Sequence, residues 1–365
     1  MQRNPFKPTA GKTPPELIDR EDVLLEFDEG LENGPGAPGR LMRISGVRGM
    51  GKTAVLNELG SIASQRGWKV IDETASTGFN ERILSRLNYS PAIQQASIHP
   101  QILGVSLGGV DFKTGEVSLQ EAMEREARKD GLLITLDELQ DVDGEEVKAL
   151  VVSVQHVIRQ DLDIAFVFAG LPSMVDGVIN SKSLTILRRA VPFELGALSS
   201  AEVSDSYEMT IAESGMGIKR SIAEQMAEIA AGYPFMVQLV GYYTWQRAAR
   251  MGSDSIEAEH VELGARTARL RFAETVIEPA LHRVSPEQAR YLLAMSEGTS
   301  GVSSTSEVAS RLGKGAPQLS AVRQRLIDAE FIDASAWGKV RFAIPYMGEY
   351  LRENRERLLL EISGS

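Results

Sequence analysis

Cysteine is absent from all 365 residues. That removes disulfides, thiolate nucleophiles and Cys-based zinc sites together, and it agrees with a reducing compartment. Histidine is scarce: His99, His156, His260 and His282 stand far apart and form no His-x-x-x-His pair, so a histidine metal centre is not indicated. No apolar run approaches the ~20 residues that span a bilayer, and Met1 to Phe6 lacks the apolar core of a secretory signal. The expectation is a cytoplasmic protein with no membrane partner. Positive charge is also in short supply, with 39 Lys and Arg against 50 Asp and Glu and a net charge of −11, which disfavours indiscriminate nucleic-acid binding. A chain of this length exceeds one typical core, and a hydrophobic fraction of 43% is that of a folded protein.

Continuous apolar runs stand between helical patterns. Leu41 to Ile44, Trp68 to Ile71, Leu132 to Leu136, Ile164 to Phe168 and Val191 to Leu195 read as strands. Strands of that kind between helices predict a parallel sheet covered on both faces. Pro192 confines the last to an edge or a strand start. Before the sheet, residues 1–15 read as an arm, and Glu16 to Leu31 as a helix that Asp19 could cap. A Gly-rich insert at about 100–118 reads as a hairpin. Residues 198–281 are almost wholly amphipathic helix and predict an all-α second domain. Residues 282–350 carry short helices and a strand pair around Gly338, and 351–365 form a tail.

One motif carries chemistry on its own. Gly46-Val47-Arg48-Gly49-Met50-Gly51-Lys52-Thr53 follows the first strand and opens the helix Lys52 to Arg66. Its glycines let backbone N–H groups converge on phosphate oxygens, Lys52 reaches the β- and γ-phosphates, and Thr53 offers a hydroxyl to Mg²⁺. Gly46 to Ala54 are the expected nucleotide-binding residues, with ATP or ADP and Mg²⁺ as ligands. A second element must hold the metal and activate water. Leu132 to Glu138 supplies it: an apolar strand ending in Asp137, expected to complete the Mg²⁺ shell with Thr53, and Glu138, expected to polarise the attacking water.

With these motifs the chain resembles the AAA-type and STAND-type P-loop ATPases, and within them the origin-recognition-like and archaeal-type ATPases with a C-terminal winged helix. The resemblance implies an α/β P-loop NTPase domain over 16–197, a helical lid over 198–281 and a winged helix-turn-helix over 282–350. Pro14 to Glu21 is similar to the family segment ending in Gly-Arg-Glu that borders the adenine, with Asp19 in place of the glycine; Ile18 and Arg20 are the implied base-side contacts. Arg188, just before the last strand, is implied as a finger reaching a neighbouring subunit's nucleotide, which carries with it a nucleotide-dependent homo-oligomer; an exposed basic helix end is the alternative. The γ-phosphate sensor of the family has no clear counterpart, Ser173 being the nearest polar residue. Ala231-Gly232-Tyr233-Pro234-Phe235 looks like the family's Gly-x-Pro turn, placing Pro234 at the nucleotide, while Phe235 stands where an origin-recognition ATPase has its sensor arginine. That replacement favours a slow nucleotide-controlled switch over a fast motor.

In the C-terminal segment, Pro317 to Ala329 would be the recognition helix, with Leu319, Val322 and Leu326 facing its core. Gln318, Ser320, Arg323 and Arg325 are left outward, beside Lys314 in the turn and Lys339 and Arg341 in the wing. Arg283 to Pro345 holds eight Lys and Arg against six Asp and Glu, a net of +2 that leaves −13 on the rest of the chain. The asymmetry points toward duplex DNA. A winged helix that binds a protein partner or holds the ATPase closed is the competing reading.

Overall fold

The computed structural model describes residues 3–9, 11–88, 118–139, 144–172, 175, 185–298, 301–336 and 338–363. The expected hairpin at about 100–118, all but Ser118, and the sensor candidate Ser173 lie outside them. The chain divides into two compact units, one of residues 20–46 and 55–194, the other of residues 1–19, 47–54 and 195–365.

The first unit is built on a parallel sheet. Its strands are β1 (Leu41–Ser45), β2 (Lys69–Thr74), β3 (Leu132–Asp137), β4 (Ile164–Gly170) and β5 (Val191–Glu194), in the order β2-β3-β4-β1-β5. Every neighbouring pair is parallel. β3 and β4 are buried along their whole length, the signature of strands covered on both faces. β5 lies at the sheet edge, with Pro192 opposite Arg43, where a missing N–H is tolerated. Helices α1 (Glu21–Asn33), α2 (Lys52–Gln65), α3 (Phe79–Asn88), α4 (Leu119–Ala127) and α5 (Gly144–Ile158) connect and flank the strands. Phe79, Ile83, Met123, Leu150 and Val154 from the last three join Ile134 and Phe166 of the strands in one core. The first helix starts at Glu21, later than expected, because Asp19 takes a left-handed backbone with φ 54°. Arg20, not Asp19, sits at the N-cap, and its side chain makes no capping hydrogen bond. No helix among the described residues is long and apolar enough to cross a membrane.

The second unit is helical from residue 200 to 281. Ser199 opens α6 (Ser200–Glu213) with a capping box to Glu202, satisfying two orphan helix-end donors at once. α7 (Arg220–Ala230), α8 (Pro234–Arg250) and α9 (Ala258–Phe272) follow, with a two-residue parallel pair, β6 (Gly217–Ile218) and β7 (Ser255–Ile256). Gly264 fits against the Thr244 backbone, where a Cβ has no room, so α8 and α9 approach closely. The N-terminal segment packs here: Phe6 is buried, sits edge-on to Tyr207 at 5.8 Å and lies over Gly241. Asn4 Nδ2 donates to the Tyr242 carbonyl at 2.9 Å.

The C-terminal segment of this unit runs α10 (Pro286–Ser296), β8 (Val302–Ser304), α11 (Thr305–Arg311), a 3-10 turn (Ala316–Leu319), α12 (Ser320–Asp328), β9 (Ile332–Ala336) and β10 (Lys339–Phe342). The three strands form an antiparallel sheet in the order β8-β10-β9. Leu319, Val322 and Leu326 are buried, as their 3.6-residue spacing requires. α13 (Met347–Glu353) and α14 (Arg355–Ser363) close the chain. Tyr346 ties this segment to the helices: its hydroxyl donates to the Ile229 carbonyl, and the Arg269 guanidinium lies 4.6 Å from its ring centroid.

Candidate nucleotide site

The loop between β1 and α2 has the backbone its glycines permit. Gly49 and Gly51 adopt φ +80° and +88°, a region that costs a side-chain-bearing residue and is free to glycine. Lys52 then begins a helix of 14 residues, so its N-terminal N–H groups and dipole face the loop, an arrangement made for anions. Lys52 is 7% exposed and its Nζ donates to the Val47 carbonyl at 3.1 Å. Gly46 and Met50 are buried, whereas Thr53 is exposed at the first turn. A near-buried ammonium curled over its own loop, with an exposed hydroxyl one residue on, is a donor set that fits a polyphosphate and its magnesium.

Two residues of the C-terminal unit meet this loop, and neither stood out in the sequence. Tyr233 donates its hydroxyl to the Arg48 carbonyl, and its ring fills the space a side chain on Gly49 would need. The ring is buried and stands edge-on to Phe272 at 5.2 Å; burial, then the nearby Glu330 charge, pushes the phenol up from its usual range. Tyr233 is delivered by the turn the sequence flagged. Ala231 and Gly232 are left-handed, the Gly232 carbonyl accepts from Leu198 N at 2.8 Å, and Pro234 opens α8, its missing N–H costing nothing in the first turn. Glu330, the second residue, follows α12 and is 7% exposed. Burial raises its carboxyl to about 7, while the Lys52 charge, the Arg48 backbone N–H and the Arg48 charge pull the other way.

The acid pair ends β3 in the first unit. Asp137 is 8% exposed, and its Oδ1 accepts from the Glu138 N–H at 2.8 Å. Glu138 is half-buried with φ 61°, so the chain turns sharply as it leaves the strand. Behind the pair, Thr135 donates to Asp72 Oδ1 on β2 at 2.8 Å, anchoring β3 to its neighbour.

Among the remaining sequence candidates, Ile18 is half-buried and Arg20 buried, and Arg188 is exposed on a 3-10 turn, Thr185–Arg189, before β5. Around α12, Lys314 pairs with Glu287 at 2.9 Å and Arg341 with Asp333 at 3.4 Å. Gln318 caps its own turn by accepting from Gly315 N at 2.8 Å, and Ser320 donates to the Pro317 carbonyl at 2.8 Å. Arg325 and Lys339 are exposed. Arg323 is half-buried, with its Nε lacking a partner and its charge acting on the buried Tyr291. Among the described residues no cluster of three or more His, Asp or Glu side chains is arranged to hold a metal by itself.

Residues 35–167 match the AAA domain family, and residues 274–351 match a domain of unknown function, DUF8462. No curated protein matches the chain. Among solved structures, the Aeropyrum pernix ORC2 protein in its ADPNP-ADP complexes is similar at TM-score 0.68 and 16% identity, with 98% of each chain covered. The Walker-type ATPase PABY2304 of Pyrococcus abyssi is similar at 0.66 and 17% identity, over 93% of this chain and 97% of that one. Cdc6p from Pyrobaculum aerophilum is similar at 0.52 and 15% identity, over 97% of each chain. The chain therefore shares the α/β fold of these structures, with an AAA domain match over residues 35–167.

Proposed function

We propose that the protein binds ATP with Mg²⁺ and hydrolyses it slowly, as a switch whose nucleotide state governs its C-terminal segment. The observation that carries this reading is the loop 46–51, where two left-handed glycines lead into a helix that opens on a nearly buried Lys52. Lys52 neutralises the β- and γ-phosphates, Thr53 and Asp137 hold the metal, and Glu138 orients and polarises water. The metal supplies charge neutralisation on the transferred phosphoryl group. Ile18, Arg20 and Pro234 are assigned to the base side, and Arg188 to a contact with a second copy's nucleotide.

The helix, strand and two helices leading to a strand pair, with β8 completing a three-stranded sheet, support a winged helix-turn-helix in 282–350. In this reading α12 enters duplex DNA and Lys314, Gln318, Ser320, Arg323, Arg325, Lys339 and Arg341 face its phosphates and bases. A second reading, in which this segment governs the ATPase itself or answers to a protein partner, is favoured by Glu330 and Tyr233, which both meet the phosphate loop. Steady-state ATP turnover, with and without duplex DNA across a salt titration, separates the two. Turnover or DNA affinity that changes with the other ligand supports the DNA-coupled switch. DNA affinity indifferent to nucleotide, with ATP still bound, overturns that coupling and leaves the protein-directed reading.

A further inference from the structure

Glycine permits the shape of the phosphate loop but does not enforce it. Gly49 and Gly51, at φ +80° and +88°, have more conformational freedom than any other residue type, so the convergence of the loop's N–H groups needs ties. Two come from the loop itself: Met50 N donates to the Val47 carbonyl at 3.3 Å, and Lys52 Nζ to the same oxygen at 3.1 Å. A third comes from 185 residues along the chain, where the Tyr233 hydroxyl donates to the Arg48 carbonyl. The phenol that makes this bond is itself fixed. Its ring is 1% exposed, stands edge-on to Phe272 at 5.2 Å, and fills the space beside Gly49 where a Cβ would lie. Its backbone is held too. Tyr233 N donates to the Ala230 carbonyl at 3.0 Å, the Tyr233 carbonyl accepts from Val237 N at 3.0 Å, and Gly232 abuts the Leu198 carbonyl too closely for a side chain. A donor so placed loses little further freedom when it makes its bond.

We infer that Tyr233 is a positioning residue of the nucleotide site, which sets the Arg48–Gly49 peptide so that the Gly49 N–H faces phosphate. The proposal rests on the ATP-binding reading above and names the side chain through which the helical segment shapes the loop. In a trans peptide the C=O and N–H point to opposite sides, so a carbonyl turned to Tyr233 aims the Gly49 N–H away from the ring. The ring therefore backs the peptide and leaves open the face that receives anions. Residue 49 has to be glycine for two reasons: its backbone is left-handed, and Tyr233 takes the room of a side chain. Support of this kind is preorganisation, which lowers the ordering cost of binding without touching the ligand.

The test is MgADP binding to the full chain by titration calorimetry for wild type, Y233F, Y233A, G49A, the Y233A/G49A double variant and K52A, with each melting temperature measured alongside. Y233F removes only the hydroxyl and should bind about 3- to 10-fold more weakly than wild type, the share of one hydrogen bond. Y233A, without the ring as well, should lose at least about 20-fold. G49A should cost at least about 10-fold more affinity beside Tyr233 than in the Y233A background, where only the left-handed backbone penalty is left. A merely structural Tyr233 would lower the melting temperature without that coupling to residue 49. Y233F keeps the ring packing, so the hydroxyl is tested even where Y233A fails to fold. Y233F binding as wild type does, or G49A costing the same in both backgrounds, with K52A defective, would overturn the proposal and leave the nucleotide site standing. Tighter binding by Y233F would overturn it too, because Tyr233 would then be an obstacle to phosphate. No binding by wild type would overturn the nucleotide reading and the proposal with it.

Discussion

Replacing Arg40 by Met should strip the first unit of a buried tie. Arg40 is 5% exposed. Its Nε and Nη2 donate to the Gly30 and Leu31 carbonyls at 2.8 Å each, and its Nη1 to Asp163 Oδ1 at 2.7 Å. Gly30 and Leu31 lie in the last turn of α1, which has no basic residue of its own to meet its orphan carbonyls. The guanidinium also lies 4.9 Å from the Trp68 ring centroid. Each charge-assisted hydrogen bond to a buried carbonyl is worth about 1.5–3 kcal/mol. Asp163 is 51% exposed, so its ion pair adds less than about 1 kcal/mol, and the ring contact adds about 0.5–1 kcal/mol. These terms are not independent, and Met keeps the apolar stem, so the expected loss is about 3–5 kcal/mol. With a urea slope of ~2 kcal/mol/M, the unfolding midpoint of this unit moves down by about 2 M. Trp68 emission reads it directly if Trp245 and Trp337 are replaced by Phe in both proteins. Arg40→Lys should recover little, since one ammonium cannot span three acceptors. A midpoint shift below about 0.5 M for Arg40→Met would refute the reasoning.

Other outcomes follow from the same geometry. Phe6→Ala removes a buried ring from Tyr207 and Gly241 and should destabilise the second unit by about 3–4 kcal/mol, seen as a lower melting temperature in calorimetry. Thr135→Val leaves Asp72 without its donor across β2 and β3 and should cost about 1–2 kcal/mol by urea unfolding. Glu330 has a folded-state pKa above its unfolded one, so it favours folding most when protonated. Its contribution is lost as pH rises from the ordinary carboxyl range through about 7, and E330Q should match wild-type stability near pH 4.5 and exceed it by up to about 3 kcal/mol at pH 8. Equal stability profiles for the two proteins would contradict the buried-anion assignment.

The five strands were legible because parallel strands covered on both faces read as unbroken apolar runs, as in Leu132–Asp137 and Ile164–Gly170. Their order was not, since such runs look alike and nothing in 164–170 says it inserts between β1 and β3. Pro192 was informative for the opposite reason: a missing N–H restricts where a strand can pair, and β5 is at the edge. The phosphate loop was readable because each of its positions has its own physical job. Tyr233 and Glu330 were not, because they reach the loop from 185 residues and farther along the chain, and local pattern carries no record of such contacts. One signal was present: Asp328-Ala329-Glu330-Phe331 passes from helix to strand without the glycine that a left-handed helix end favours. Asp19 misled as a cap because the residue itself turns left-handed and leaves Arg20 at the helix start.

The most direct test of the central claim is single-turnover and steady-state ATP hydrolysis by wild type, K52A and E138Q, each paired with a nucleotide-binding measurement. A P-loop ATPase that uses Glu138 to activate water should hydrolyse ATP slowly as wild type, bind but not turn over as E138Q, and neither bind nor turn over as K52A. Wild-type levels of binding and hydrolysis in K52A would contradict the account.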